Sequence, residues 1–207
     1  MSEARRVEVA EVVDRRDLQI IEDDVYGTLA ATPPFAMLMP NRCTLVTSFS
    51  KSVAAGLRFG LVAGAGPVAR AVAAEPQTTL WPLAPLMAEI ACRWMEDGTA
   101  LRRATWQRDE VAVRHRLACR LLPNGRTGHS TPSPHAWLAV PPEMEDPIAA
   151  CRAVGVDVVA AATFAVTREA PARIRVSLTA AETRAELGRA LDRLAAIGVT
   201  WPAASET

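Results

Sequence analysis

The chain has 207 residues, of which 50% are hydrophobic and 22% are charged, so it is long enough to bury a substantial core. Its 23 basic and 23 acidic residues give a formal net charge of zero, which offers no electrostatic support for binding nucleic acid or an anionic membrane. No run approaches the ~18 apolar residues of a spanning helix, and the N-terminal segment is too charged for a signal peptide, so we expect a cytoplasmic protein.

The first half of the chain predicts an α/β sheet. Residues 3–16 place valines at helical spacing among charged residues, which is typical of an amphipathic helix. Three short apolar runs follow at 18–23, 43–49 and 59–64, and we interpret them as buried strands that end at polar residues. Because short connections keep sequential strands close, we expect these strands to be neighbours in one sheet.

Longer helices and a second group of strands are predicted for the rest of the chain, with a domain boundary near residue 100 inside the helical stretch. The closing helix is expected to begin with Thr179 as its N-cap and to bury Leu187, Leu191 and Leu194 on one face. The predicted elements are two helices, a strand, a helix, a strand and the closing helix, in that order: 85–98, 100–122, 135–140, 146–155, 172–178 and 179–198.

The four cysteines are scattered, without a C-x-x-C pair or a histidine at ligand spacing. We therefore predict no metal site and interpret these residues as reduced thiols that act as small buried hydrophobes. They are Cys43, Cys92, Cys119 and Cys151.

A short polar loop lies between two of the predicted strands, in the stretch TSFSKSVAAGLRFGLVAG at 47–64. It contains Ser48, Ser50 and Arg58, together with Lys51, the only lysine in the sequence. Hydroxyls, an amine and a guanidinium can hold a phosphate, and ligands of α/β sheets sit outside the carboxyl ends of the strands. The same residues also suit a solvated turn.

Other polar residues each have a structural explanation when taken singly. Asp23 suits a solvated acid at the end of a strand, and Tyr26, the only tyrosine, suits a half-buried core residue. Arg175 suits an exposed position in an alternating strand, and His135 suits a capping or packing role.

In order, the motifs IIEDDVYG, SFSK, GLR, HAWL and RIRVSL resemble the class I/II aminotransferases, which are fold-type I enzymes dependent on pyridoxal phosphate. They are most similar to the aminotransferase-like domain of GntR/MocR-type transcriptional regulators and its free-standing relatives. The resemblance, which extends from residue 1 to about residue 198, implies an α/β fold. In this interpretation 1–100 is the C-terminal portion of the cofactor-binding large domain, and 101–207 is the small C-terminal domain.

The resemblance also implies how the cofactor's ring is held. Lys51 would form the Schiff base with pyridoxal phosphate and then carry the α-proton of the substrate. Asp23 would pair with the protonated pyridine nitrogen. Tyr26 would donate its hydroxyl to the phenolic oxygen of the ring.

Anionic groups would be bound by the remaining residues of the motifs. Ser48, Ser50 and Arg58 would hold the phosphate, Arg58 through a charge-assisted pair. Arg175 would bind the substrate α-carboxylate. Arg173 is a nearby competitor for that role, although the family pattern R-x-S/C-L favours Arg175.

Members of the family carry roughly as much chain again before the point that matches Met1. That part supplies further strands, a phosphate turn, an aromatic residue that stacks on the cofactor, and an asparagine that binds its phenolic oxygen. We therefore expect the C-terminal half of such an enzyme, with unpaired sheet edges and an exposed apolar face where missing helices would pack. Such a chain would self-associate or aggregate and bind the cofactor weakly. A local departure is Ala55, where the family usually has proline before GLR.

Three functions remain open at this stage. The first is an aminotransferase acting on an amino acid and a 2-oxo acid, as a homodimer or other self-associated form. The second is a cofactor-sensing effector domain of a GntR/MocR-type regulator, and the third is an inactive fragment. No segment matches a winged helix-turn-helix, so we expect no nucleic-acid binding by this chain alone.

Overall fold

A computed structural model describes residues 1–29, 32–75, 84–125, 131–167 and 170–202. The chain divides into two compact units, Met1–Arg108 and Asp109–Thr207. The division falls inside a long helix, beyond the boundary near residue 100 that the sequence predicts.

The first unit is built around a three-stranded sheet. β1 (Ile20–Asp23) pairs in parallel with β2 (Cys43–Ser48), and β2 pairs antiparallel with β3 (Gly60–Ala63), so β2 is the central strand. The prediction that the three apolar runs form neighbouring strands of one sheet is confirmed.

Helices pack on one face of this sheet. α1 (Glu3–Arg15) begins at Ser2, whose hydroxyl accepts a hydrogen bond from the Arg5 amide at 3.3 Å, and it confirms the helix predicted over 3–16. The short helix α2 (Phe35–Leu38) lies between β1 and β2 in the chain. The two helices and β2 share a buried apolar cluster of Val13, Phe35, Met39 and Cys43.

The opposite face of the sheet is open to solvent at its outer strands, whereas Thr44 of β2 on the same face is buried. Ile21 of β1 is 67% exposed and Val62 of β3 is 48% exposed. The register places both on one face with Val46 of β2, because Ile21 is opposite Thr44 and Val62 is opposite Val46. The prediction that β1 and β3 are buried strands is therefore wrong, since α1 and α2 pack on the other face.

The other described residues of the first unit form short turns and helices around a second apolar cluster. Its buried members lie in the loop after β2 and on the next two long helices: Phe49, Val53, Leu57, Phe59, Ala91, Ala100 and Ala104. Gly98, in the left-handed region at φ 75°, separates those helices, as the sequence predicts. The helices, with the bounds that the structure gives them, are α3 (Pro67–Ala74), α4 (Pro85–Glu96) and α5 (Thr99–Leu121), the last continuing into the second unit.

The second unit contains an antiparallel sheet in the order β4 (His135–Ala139), β6 (Arg173–Ser177) and β5 (Val159–Ala160). Its other helices are α6 (Pro147–Ala153) and α7 (Arg184–Ala196). The strands and helices predicted for this part are confirmed within a few residues of their ends, whereas β5 was not predicted. The predicted apolar face of α7 is confirmed as buried: Leu187, Leu191 and Leu194.

The closing helix begins later than predicted. Its N-cap is Thr183, whose hydroxyl accepts a hydrogen bond from the Glu186 amide at 3.1 Å, and the Glu186 carboxylate accepts one from the Glu182 amide at 3.1 Å. The prediction of Thr179 as the cap is therefore wrong. Thr183 and Glu186 have the spacing of a capping box, which satisfies amides at the start of a helix.

A buried ion-pair network joins α5 to the start of α7 within the second unit. The Glu110 carboxylate accepts hydrogen bonds from Arg114 at 2.7 Å and from Arg184 at 3.1 Å. Arg114 also donates to the carbonyl oxygens of Leu178 and Ala181, at 3.1 and 2.7 Å. The hydrogen bonds from Arg184 and then Arg114 lower the pKa of Glu110 to about 2, although burial opposes this shift.

The cysteines occupy different environments. Cys43 and Cys151 are buried, as expected of small hydrophobes, whereas Cys92 is exposed, so that part of the prediction is wrong. Burial and the neighbouring Glu22 carboxylate raise the pKa of the Cys43 thiol to about 11.

Among the described residues, no cluster of histidine, cysteine or acidic side chains could hold a metal ion. In the same part of the chain, no helix combines the length and apolar character needed to cross a membrane.

Candidate cofactor-binding site

The carboxyl ends of β1 and β2 lie side by side at one edge of the first sheet. Asp23 is the last residue of β1 and is in register with Val46, two residues before Ser48 at the end of β2. Asp23 and Ser48 therefore lie on the same face of the sheet. The strand ends are tied together because the Asp24 amide donates to Val46 O at 2.8 Å and the Thr47 hydroxyl donates to Asp24 O at 3.1 Å.

The Asp23 carboxylate is exposed and caps its own turn. Its Oδ1 accepts a hydrogen bond from the Val25 amide at 3.4 Å. In the part of the chain that the structure describes, no arginine or lysine forms an ion pair with Asp23. The carboxylate is thus a turn acid in this structure that still has oxygen lone pairs for a cationic group.

The side chain of the next residue, Asp24, is half-buried and lies against Gly27 in the turn that carries Tyr26. Burial raises the pKa of Asp24, and the negative charge of Glu22 raises it further. A Cβ atom at Gly27 would lie 1.8 Å from the Asp24 carboxylate, so only glycine fits there without moving that side chain. The sequence places Asp24 at the end of the first strand, but neither Asp24 nor Gly27 was expected to have a role, although both belong to the motif IIEDDVYG.

Lys51 and Tyr26 meet at this edge of the sheet. The Lys51 Nζ lies over the Tyr26 ring, 5.8 Å from its centroid, which is within the range of a cation–π contact. Lys51 is exposed, and Tyr26 is 37% exposed. The structure therefore brings together the only lysine and the only tyrosine of the sequence, from the turns that follow β2 and β1.

The loop after β2 is fixed at both ends. The Ser48 hydroxyl accepts a hydrogen bond from the Ser50 amide and donates one to Phe59 O, both at 3.0 Å. The Phe49 amide also donates to Phe59 O at 3.0 Å, and the two phenylalanine rings pack with centroids 5.2 Å apart. Ser48 therefore organises the loop in this structure, while the loop backbone rests on buried aromatic residues.

Arg58 ends the short 3₁₀ turn of this loop in a left-handed conformation, with φ 49° and ψ 35°. Asp17 and Asn124 are the other non-glycine residues with positive φ in the described ranges, and both are residue types that tolerate it. Arginine does so less readily, so the loop imposes this geometry on Arg58. The turn forms with Ala55 in place of the family's proline, since Ala55 O accepts a hydrogen bond from the Arg58 amide at 3.4 Å.

Arg175, the last of the predicted site residues, belongs to the second unit. It lies in the middle of β6, opposite Trp137 of β4 and Val159 of β5. Its guanidinium carbon lies 4.8 Å from the centroid of the Phe164 ring. Arg173 lies two residues earlier on the same face of the strand.

Solved aminotransferases share the fold of this chain. The kynurenine aminotransferase of Pyrococcus horikoshii, solved in complex with PMP, aligns with a TM-score of 0.77 and 21% identity over 95% of this chain and 52% of that chain. This similarity defines the class: the fold is that of the fold-type I, pyridoxal-phosphate-dependent transferases, as the sequence predicts. The family model for aminotransferase class I and II matches residues 1–194, and the chain belongs to that family.

Curated relatives include bacterial regulators. The uncharacterized HTH-type transcriptional regulator YisV of Bacillus subtilis is 32% identical over 127 residues, covering 59% of this chain and 26% of that protein. YdeF, described in the same words and from the same organism, is 29% identical over 198 residues, covering 92% of this chain and 42% of that protein. The predicted similarity to such regulators is confirmed, and the chain spans less than half the length of these relatives.

Proposed function

We propose that this chain carries the lysine-bearing part of a pyridoxal phosphate site that transfers an amino group between an amino acid and a 2-oxo acid. One observation supports this function most strongly. The only lysine, Lys51, lies over the ring of Tyr26 at the sheet edge where β1 ends in Asp23. An amine, a phenol and a carboxylate without an ion pair to any described residue lie at one edge, and they match the chemistry of the cofactor's aldehyde, phenolic oxygen and ring nitrogen.

These residues fit the cofactor's reactive end. When bound, pyridoxal phosphate supplies an electron sink that stabilises negative charge at the substrate Cα. Asp23 would keep the ring nitrogen protonated through its negative charge. The Lys51 amine would attach the cofactor and move the proton at the substrate Cα, and Tyr26 would donate to the phenolic oxygen.

The loop after β2 offers groups for the phosphate. The donors are the hydroxyls of Ser48 and Ser50 and the guanidinium of Arg58, which is exposed and forms no ion pair with the described residues. Because the Ser48 hydroxyl already donates to Phe59 O, it would have to rotate to donate to a phosphate. Arg58 is therefore the strongest phosphate ligand that we propose.

Replacing Arg58 by Ala should weaken binding of pyridoxal phosphate by about 10- to 100-fold, since a hydrogen bond between charged groups is worth ~1.5–3 kcal/mol. Binding of pyridoxal, which has no phosphate, should remain unchanged. Fluorescence or absorbance titration of the whole chain with both ligands measures the two effects. Arg16→Ala, which removes another exposed arginine, is the matched control. An equal loss of affinity for both ligands would argue against a phosphate role.

Arg175 is proposed as the residue that binds the substrate α-carboxylate, on the strength of the family pattern around β6. Its guanidinium forms no ion pair with a carboxylate in the described ranges, so its N–H groups are available to an anion.

We also propose self-association, as a homodimer or a larger form. The outer strands β1 and β3 each have an edge without a partner strand in the described part of the first sheet, and Ile21 and Val62 expose apolar surface beside them.

A second candidate function is that of a cofactor-sensing effector domain, and the similarity to two HTH-type regulators favours it. Such a domain would bind pyridoxal phosphate through the same residues with little turnover. A coupled assay of 2-oxo acid formation separates the two functions. Catalytic turnover supports the aminotransferase, whereas stable binding without turnover supports the effector. Neither function requires these 207 residues to bind DNA, and their charges balance.

A further inference from the structure

Arg175 lies against an aromatic surface in the second unit. Trp137 is directly opposite Arg175 in the β4–β6 register, and Phe164, in the 3₁₀ helix at 161–164, packs over the guanidinium. The rings of Trp137 and Phe164 meet edge to face, with centroids 5.8 Å apart. The three side chains therefore form one continuous cluster, which we call the Arg175 aromatic cluster.

The contact with Phe164 leaves the guanidinium usable by a ligand. The guanidinium carbon of Arg175 lies over the Phe164 ring, whereas carboxylates bind a guanidinium through its N–H groups. Phe164 is 45% exposed, so part of its side chain is open to solvent near the guanidinium. A ligand whose carboxylate binds Arg175 would thus place its substituent next to an exposed aromatic ring.

The second arginine on this strand has different surroundings. Arg173 is opposite Ala139, not an aromatic residue, and it already makes interactions of its own. It lines a cleft of about 430 Å³ whose wall includes Pro141 and Trp201. A ligand bound to Arg175 therefore meets aromatic rings and not a second arginine. An apolar substituent on that ligand suits the cluster better than a second carboxylate.

We propose that Phe164 and Trp137 determine specificity at Arg175 and favour ligands that combine a carboxylate with an aromatic or large apolar group. This inference rests on the proposed function, because it names the substrate class of the carboxylate-binding residue. Phe164 has a second role as a positioning residue, because its ring holds the guanidinium in one orientation.

Binding of two simple carboxylates to the whole chain without cofactor tests the inference. The probes are 3-phenylpropanoate and pentanedioate, which lack a carbonyl that could react with Lys51. Ligand-observed NMR should give an affinity about three- to tenfold higher for 3-phenylpropanoate, the range expected of aromatic contacts. Phe164→Ala should bring the ratio of affinities close to one, and Arg175→Met should weaken binding of both probes.

Trp106→Ala, which removes an exposed aromatic residue of the first unit, should leave the ratio unchanged. If the alanine variant folds poorly, Phe164→Leu serves as the test in its place. It keeps apolar volume without an aromatic face and should give an intermediate ratio of affinities. Equal affinities in the wild type, or a preference that survives both Phe164 substitutions, would overturn the inference. Covalent attachment of pyridoxal phosphate at Lys51 is measured separately. Attachment with equal probe affinities refutes only this inference, whereas aromatic preference without attachment refutes only the proposed function.

Discussion

Replacing Asp23 by Asn should slow the exchange of an amino acid's α-proton with solvent by about 10²- to 10³-fold in the presence of pyridoxal phosphate. The carboxylate at the end of β1 is the anion that we propose for the ring nitrogen, and loss of one preorganised electrostatic group has effects of that size. An amide has no negative charge to keep that nitrogen protonated. Proton NMR in D₂O measures the exchange directly, as loss of the Cα proton signal.

Asp24→Asn is the matched control for this experiment, because it makes the same chemical change one residue further along the chain. The Asp24 side chain lies against Gly27 in the turn, and we assign it no contact with the cofactor. The control should keep exchange close to the wild-type rate. Similar rates in wild type and Asp23→Asn, or a wild-type rate no higher than that of free cofactor, would contradict the role of Asp23.

Replacing Glu110 by Ala should destabilise the second unit by about 3 kcal/mol, the lower end of the cost of breaking a buried ion pair. Glu110 and Arg114 are 9% and 7% exposed, so the substitution leaves a buried guanidinium without its carboxylate. The expected loss of stability is at the lower end of that range because Arg114 keeps its hydrogen bonds to the carbonyl oxygens of Leu178 and Ala181. Hydrogen exchange of β6 amides should become roughly 100-fold faster, whereas β2 amides in the first unit should not change.

The same network makes the stability of the second unit depend on pH. The pKa of Glu110 is 4.5 in the unfolded chain and is lowered to about 2 in the folded chain. The charge of Glu110 therefore makes its full contribution to the stability of the second unit above pH 4.5. That contribution is lost as the pH falls towards 2. Glu110→Gln keeps an acceptor without the charge, and its stability deficit relative to wild type should shrink between pH 5 and 2.5. A deficit that is constant over this range would contradict the ionic role of Glu110.

Strand positions in the first unit could be predicted because short apolar runs are bounded by polar residues. The resemblance predicts an exposed apolar face where helices of the missing part would pack, but the runs do not show that Ile21 and Val62 lie on it, since an apolar run has the same sequence whether or not its face is covered. The start of α7 could not be read from the sequence, because Thr179 with Glu182 and Thr183 with Glu186 both have the spacing of a capping box.

Motif order predicts which residues to propose for the site, but it does not predict the hydrogen bonds that connect them. The Thr47–Asp24 and Ser48–Phe59 hydrogen bonds join residues 23 and 11 positions apart, so they depend on strand register. The bond between Glu110 and Arg184 spans 74 positions, and no local pattern indicates it. Such contacts arise only when tertiary packing brings distant segments together.

The identity of the residue that attaches the cofactor is the most direct test of the proposed function. The chain should be incubated with pyridoxal phosphate, reduced with borohydride, digested and mapped by mass spectrometry. Only two primary amines compete, because Lys51 is the only lysine and Met1 carries the N-terminal amine. We predict a pyridoxyl label on the peptide that contains Lys51, absent from Lys51→Arg. A label confined to the Met1 amine, or no label at all, would contradict the account.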